Sequence, residues 1–415
     1  VSGKTVTISA SGSYTVDGSV TDGQILVNIP NTTADSDAVS LYLQDVTMTS
    51  STGAPCILGQ SAKKLKLTCN GTNTLTDTAA EANADTSGVI YGDCDITVTK
   101  NSTGSLNITS SMNTAIRSKD DIKLNGGTIV VNTDVDDTSD ADAIRANNTL
   151  EVDGASVTVT SSADGLKSSK EDVSILSGTV NIKAGNDAVQ AATAISIADG
   201  TVTACGDRGF TLDENGTLSI TGGNVLATAT DYAFGMNASG TAVTVDTSGC
   251  TQGVVQLDYA AEWKKSNAVT LKNGSETVFD MTPSKKYTYV LASSPKLSAS
   301  GSYTLYTGGT QMTHDGSDNG TFAMTGTPTK FTGVKELTGG STLPNEDDVV
   351  TSLVYSGSSI TATNASGSVV SNPSNLTISG ANVTVTASSE ISVSGESTSG
   401  QLAVNVDKTA EPAGK

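Results

Sequence analysis

Between about Asn113 and Gly240 the chain repeats itself, and the length of the repeat limits what it can fold into. Five phrases read under one another: Thr114-Ala115-Ile116-Arg117, Asp142-Ala143-Ile144-Arg145, Asp164-Gly165-Leu166-Lys167, Asp187-Ala188-Val189-Gln190 and Arg208-Gly209-Phe210-Thr211. A second phrase follows each, as in Leu124-Asn125-Gly126-Gly127-Thr128-Ile129 and Ile175-Leu176-Ser177-Gly178-Thr179-Val180. From Ile144 the apolar position returns 22 residues later at Leu166, 23 later at Val189 and 21 later at Phe210. A period in the twenties with short strands and glycine turns means a solenoid, each repeat packing on its neighbours. No amphipathic 3.6-residue pattern is present, and the dense leucine frame of leucine-rich repeats is missing. The strand phrases alternate Val, Ile and Thr, as in Ser156-Val157-Thr158-Val159-Thr160. The expected fold is therefore all-β: a parallel β-helix, with coils about 4.8 Å apart so that equivalent residues form columns.

From roughly Asp246 the period is lost, and longer strands such as Tyr287-Thr288-Tyr289-Val290-Leu291 suggest antiparallel hairpins. The expected division is 1–255 β-helix, 256–340 a β-rich region capping or flanking the coil, 341–349 an acidic linker, and 350–415 the beginning of a second copy. The last rests on an offset of 377 that brings Gly18 onto Gly395, Gly23-Gln24 onto Gly400-Gln401 and Val27-Asn28 onto Val404-Asn405. Such a tail could meet the open end of a neighbouring molecule and build a head-to-tail fibre.

Composition narrows the function. The 415 residues carry a net charge of −20, which argues against nucleic acid and anionic membrane surfaces as partners. No apolar run is long enough to insert in a membrane as a helix. Aromatic residues make up 4%, too few for a broad stacking platform, and Trp263 with Tyr259 and Tyr287 is expected mainly to close the end of the coil. Abundant Thr, Ser, Asn and Gly with few Lys suit an extracellular or cell-surface protein. The five cysteines form no C-x-x-C pair and are expected to act as small buried apolar residues.

The phrases Gly12-Ser13-Tyr14-Thr15-Val16, Asn73-Thr74-Leu75-Thr76-Asp77, Ile116-Arg117-Ser118-Lys119-Asp120-Asp121-Ile122 and Asp164-Gly165-Leu166-Lys167-Ser168 resemble those of the bacterial carbohydrate-binding domain-containing β-helix family. Its members are secreted proteins of anaerobic, plant-fibre-degrading bacteria. The resemblance covers residues 1–340 and restarts at Ile378. It implies a right-handed parallel β-helix related in shape to pectate lyases, bound calcium, and affinity for cellulose or pectin-like polymers. The chain departs from the family's more regular members with Ala143, Ala188 and Gln190, where Gly and Lys are usual.

Three constellations could carry chemistry. In register, Asp142, Asp164 and Asp187 would lie about 5 Å apart and repel by about 3 kcal/mol per pair at an effective dielectric near 20. Calcium could neutralise them, Arg145 and Lys167 could pair with them, or the aspartates could serve as turn residues. A second acidic group, Asp134, Asp136, Asp137, Asp140 and Asp142, could fold round Ca²⁺, although it lacks EF-hand spacing. A row of bases, Arg117, Lys119, Arg145, Lys167 and Lys170, could seat uronate carboxylates through forked hydrogen bonds. Lyase-type β-elimination would need an arginine base beside Ca²⁺, and no motif selects one of Arg117, Arg145 or Arg208. The expected function is non-catalytic, calcium-assisted binding of acidic or cellulosic plant-wall polysaccharide. The alternatives are head-to-tail self-association through 350–415 and a calcium-dependent polysaccharide lyase.

Overall fold

A computed structural model describes residues 4–133, 141–314, 319–337, 350–364, 367–371, 373, 375–386 and 391–404. Internal contacts divide the chain into two units, residues 1–305 with 312–337, and residues 306–311 with 338–415. Asp134, Asp136, Asp137, Asp140 and the expected linker at 341–349 lie outside the described residues.

The first unit is a parallel β-helix followed by antiparallel strands. Three ladders of parallel strands run along it. The first face stacks Gln24–Asn28, Ile57–Ser61, Ile90–Gly92, Ile116–Ser118, Ile144–Ala146, Leu166–Ser168 and Asp187–Ala191. The second face includes Lys64–Asn70, Asp95–Val98, Ile122–Leu124 and the start of Leu150–Ser161. The third includes Thr72–Asp77, Ser105–Ser110, Thr128–Asn132 and the second half of Leu150–Ser161.

Side chains in a strand alternate between faces, so each ladder sends one column inward. On the first face that column is Ile25, Ile57, Ile90, Ile116, Ile144, Leu166, Val189 and Phe210, all buried. Burying each such side chain contributes about 1.5–3 kcal/mol. The 22-, 23- and 21-residue spacings of the sequence are the lengths of these coils. Between the second and third faces the turn repeats a glycine with positive φ: Gly127 at 72°, Gly154 at 90°, Gly178 at 104°, Gly200 at 98° and Gly223 at 77°. A Cβ on Gly178 would stand 2.3 Å from the Ala155 carbonyl oxygen, and one on Gly200 2.4 Å from that of Gly178. Backbone hand and the close approach of coils both demand glycine here.

After the last coil most pairings are antiparallel, although Val254–Trp263 also pairs parallel with Thr329–Glu336. Tyr287–Ser293 pairs with Asn224–Met236 of the coil and also with Val254–Trp263. The third face therefore ends against a sheet rather than in open backbone groups. Beyond it, Leu257, Tyr259, Leu271, Phe279, Tyr287 and Phe331 share a separate apolar core. Trp263 and Tyr287 both meet Tyr259 edge-on, at ring separations of 6.0 and 5.7 Å. His314 stacks on Phe331 at 5.2 Å and meets Phe322 edge-on.

The second unit contains two small sheets. Ser352–Gly357 pairs antiparallel with Ser359–Thr363 and parallel with Ser392–Ser397. Asn382–Val385 pairs antiparallel with Leu376–Ser379 and parallel with Leu402–Val404. Val350, Leu353, Tyr355, Ala362, Leu376 and Val383 form its core.

Candidate functional site

The outward column of the first face is chemically uneven. Register stacks Tyr91, Arg117, Arg145, Lys167, Gln190 and Thr211 one above another. Arg117, Arg145 and Lys167, three of the five bases expected at a ligand site, therefore stand together. Lys119 and Lys170 lie beside them, exposed in the turns that follow the strands. Arg117 places its guanidinium 5.9 Å from the Tyr91 ring centre, and the Lys119 ammonium lies 5.7 Å from the same ring. Tyr91 is itself buried, and such contacts are worth from about 0.5 kcal/mol to about 2 kcal/mol as the cation is desolvated. Lys119 also pairs with Asp93 at 2.8 Å. That hydrogen bond holds the Lys119 ammonium above its ordinary pKa. Among the described residues, Arg117 and Lys170 have no carboxylate within ion-pair distance.

Asp142, Asp164 and Asp187 do form a column, and all three are buried. A carboxylate of one coil caps the backbone of the next: Asp164 N–H donates to Asp142 Oδ1 at 3.3 Å, and Asp187 N–H to Asp164 Oδ1 at 3.0 Å. Each carboxylate also has a base. Arg145 reaches Asp142 at 3.4 Å, and Lys167 reaches Asp164 at 2.6 Å and Asp142 at 3.8 Å. Arg208 Nε donates to Asp187 Oδ1 at 2.5 Å. In this geometry pairing and backbone capping occur together, and the compensating charge comes from the chain's own bases.

The column still carries an electrostatic cost. Burial first, and then the charge of Asp164, push the Asp142 carboxyl up to about 6, against the pull of Lys167 and Arg145. Burial raises Asp187 to about 6 as well, with Asp164 adding to it and Arg208 opposing. At this coil Gln190 stands where Lys167 stands one coil earlier. The Oδ2 of Asp187 and the Oε1 of Gln190 are both buried with no donor among the described residues.

A different acidic group escaped the sequence reading. Asp95, Asp120 and Asp121 bring carboxylate oxygens within 4.8 Å of one another in a half-buried turn. Asp95 also pairs with Lys64 at 3.1 Å, Asp120 accepts from Asn148 Nδ2 at 2.7 Å, and Asp121 accepts from Thr149 N–H at 3.0 Å. Burial, then the charges of Asp95 and Asp121, raise the Asp120 carboxyl. Clustered oxygens of this kind suit a hard cation, which takes six to eight of them and accepts water for the rest. The signal was present in the sequence: Asp95 opens one second-face strand and Asp121 directly precedes the strand stacked on it. The 26 residues between Ile96 and Ile122 exceed the regular coil, so a search at the short period passes over the match.

The thiols offer no reactive group of note. Cys56, Cys69, Cys94 and Cys205 are free and buried, and Cys250 is half-buried. Burial pushes Cys56, Cys69 and Cys94 up to about 12, which leaves them protonated at neutral pH.

A carbohydrate-binding domain-containing protein of Acetivibrio thermocellus is 34% identical over 137 residues, 32% of this chain and 46% of that protein. The matched stretch thus spans about half the length of this curated relative. The solved structure of the polysaccharide lyase-like protein from C. thermocellum, as a gadolinium derivative, is 26% identical. It matches 53% of this chain and 88% of its own, with a TM-score of 0.41. The sequence model of the carbohydrate-binding domain-containing proteins matches residues 2–247, more than half of the 415, and the chain belongs to that family.

Proposed function

We propose that the protein binds plant-wall polysaccharide outside the cell without cleaving it, and that an anionic, uronate-rich chain lies along the first face. The observation that carries this is the Tyr91–Arg117–Arg145–Lys167 column, in which Arg117 rests on an aromatic ring with no carboxylate partner among the described residues. A guanidinium supported in this way keeps its forked donors for a ligand carboxylate. Coils repeat at about 4.8 Å, so an extended polymer parallel to the axis meets an equivalent side chain at each coil. Arg145 and Lys167 share their charge with Asp142 and Asp164, and they contribute hydrogen bonds more than net attraction. Calcium assists in this reading, held by Asp95, Asp120 and Asp121.

Titration calorimetry of polygalacturonate into the protein, in calcium and then in chelator, tests the proposal. Binding heat is expected, with affinity at least ten-fold lower in Arg117→Ala. No heat in either buffer, or an unaffected Arg117→Ala, sinks it. Head-to-tail assembly is favoured by one separate observation, the exposed apolar side chains of Leu402 and Val404 on a strand paired along one edge among the described residues. Sedimentation that stays monomeric across a hundred-fold concentration range removes that reading.

A further inference from the structure

The chain holds two versions of its opening coil, and they differ on the edge where a preceding coil would stack. In the first, Gly12–Thr21 pairs with Val39–Ser50 and Thr5–Ile8 pairs with Gln24–Asn28, and among the described residues neither has a strand on its other edge. A shift of 377 residues gives their counterparts, Ser392–Ser397 and Asn382–Val385. Both of these are covered. Ser352–Gly357, which forms a hairpin with Ser359–Thr363, pairs parallel with Ser392–Ser397. Leu376–Ser379 pairs antiparallel with Asn382–Val385. Val383 is accordingly 1% exposed, whereas its counterpart Val6 is 43% exposed.

The turn glycine between the second and third faces marks where the covering strand lies. A Cβ on Gly178 or Gly200 would run into a carbonyl of the coil before it. On Gly395 it would stand 2.0 Å from the Tyr355 carbonyl oxygen, so Ser352–Gly357 takes the place of a preceding coil. On Gly18, which has nearly the same φ, a Cβ would meet nothing within 4 Å among the described residues. Beside Gly18 there is instead a recess of about 180 Å³, walled mostly by Val6, Val16, Val20, Val46 and Met48. The Tyr355 ring comes within 3.0 Å of a Cβ built on Gly400, whose neighbour Gln401 corresponds to Gln24 in the wall of the recess. Gly12–Thr21 contains neither Lys nor Pro, the residues that blunt an exposed edge.

We propose that this edge of the first coil docks the Ser352–Thr363 hairpin of a second copy of the chain by strand addition. In the register used at Ser392–Ser397, Leu353 falls opposite Val16 and Tyr355 opposite Gly18, beside the recess. The hairpin's place in its own chain is weakly supported: every residue of Ser392–Ser397 is exposed, and no described strand backs its second edge. Gly12–Thr21 is backed by Val39–Ser50 and by the coils stacked on that strand, so it offers an edge already ordered by its neighbours. Residues 350–379 carry no charge, and docking them desolvates no ion on the hairpin. The proposal builds on the head-to-tail reading but uses a different edge from Leu402–Val404, and no polysaccharide takes part in it.

Sedimentation of the full chain over a hundred-fold concentration range, read beside hydrogen exchange, tests it. Wild type is expected to associate as concentration rises, with the amides of Gly12–Thr21 gaining protection. Gly18→Asn introduces a residue that accepts positive φ and has open space in the free chain, but it blocks the incoming Tyr355 carbonyl. It is expected to weaken association at least ten-fold. Val6→Arg, at an exposed side chain lining the recess, is expected to weaken it at least three-fold and carries the test if Gly18→Asn lowers the melting temperature. Gly395→Asn evicts the hairpin from its own coil and is expected to strengthen association. Wild type and Gly395→Asn both staying monomeric overturns the proposal, and head-to-tail assembly with it. Association lost in Leu402→Lys but intact in Gly18→Asn and Val6→Arg overturns the proposal alone. So does protection of Gly12–Thr21 that is independent of concentration, because the hairpin would then dock within its own chain.

Discussion

Two stretches of this chain, 377 residues apart, form the same parallel strand pair and bury it differently. In the first unit Val6 lies opposite Ile25 and Ile8 opposite Val27 in parallel register. In the second, Val383 lies opposite Leu402 and Val385 opposite Val404. The turn glycines agree as well, Gly18 with φ 89° and Gly395 with φ 88°. Gly23 and Gly400 each approach the corresponding carbonyl, that of Lys4 or Ala381. Yet Ile25 and Val27 are 5% and 0% exposed, against 45% and 74% for Leu402 and Val404. The difference is the next coil. Gln24–Asn28 has Ile57–Ser61 stacked on its second edge, and no described strand does this for Leu402–Val404. Register is thus encoded within a coil, by turn glycines and alternation, while burial is conferred by the neighbour.

The sharpest way to break that comparison is to truncate equivalent side chains. Ile25→Ala removes a side chain covered by the following coil and is expected to cost about 3 kcal/mol, within the usual range for such deletions. Leu402→Ala removes an exposed one and is expected to stay within about 0.5 kcal/mol. Urea unfolding followed by hydrogen exchange in each unit measures both. Equal costs would mean that the coil and not its neighbour supplies the stability.

Fully stacked coils also hold the buried aspartates, and those should give them a distinctive pH response. Asp142 and Asp187 are both raised to about 6, whereas an unfolded aspartate titrates near 3.9. Between those values the folded chain holds more protons than the unfolded one. These groups therefore contribute stability that is fully present below about pH 4 and lost as pH rises to about 6, on the order of 2 kcal/mol for each. An Asp142→Asn variant lacks its share of the effect. The stability of wild type relative to Asp142→Asn is expected to rise as pH falls from 6 to 4. A difference flat with pH would show that the carboxyl is not destabilised by burial.

The parts of the molecule legible in the sequence are those that depend on one coil at a time. The period, the inward column from Ile144 to Phe210, the glycine turn at Gly178 and Gly200 and the basic row of Arg117, Arg145 and Lys167 all follow from alternation and spacing. What was not legible depends on relations between coils of unequal length or beyond the periodic region. Lys167 reaches both its own Asp164 and the Asp142 of the preceding coil, a choice that spacing alone leaves open. The Asp95–Asp120–Asp121 group joins turns from coils of irregular length. His314 sits among polar sequence neighbours, and its contacts with Phe322 and Phe331 come from strands that no spacing connects to it.

The smallest expected effect compares two adjacent coils that share a fold and differ at one position. At Asp164 the base three residues later is Lys167, 2.6 Å away. At Asp187 the same position holds Gln190, and Asp187 Oδ2 has no donor among the described residues. Arg208 compensates from the other side through Oδ1. Gln190→Lys should give the second oxygen a charged donor without displacing Arg208. The expected gain is about 1 kcal/mol, because part of what the new hydrogen bond contributes is lost in desolvating the ammonium. The pH response should shift with it: a second nearby positive charge favours the ionised carboxyl, lowers its pKa and shrinks the loss of stability between pH 4 and 6. Thermal melts of wild type and variant at pH 5 and 7 read both effects. A Gln190→Lys protein less stable than wild type at both pH values would mean that the vacant Oδ2 is not accessible to a residue-190 donor, and that the two coils differ in more than this one side chain.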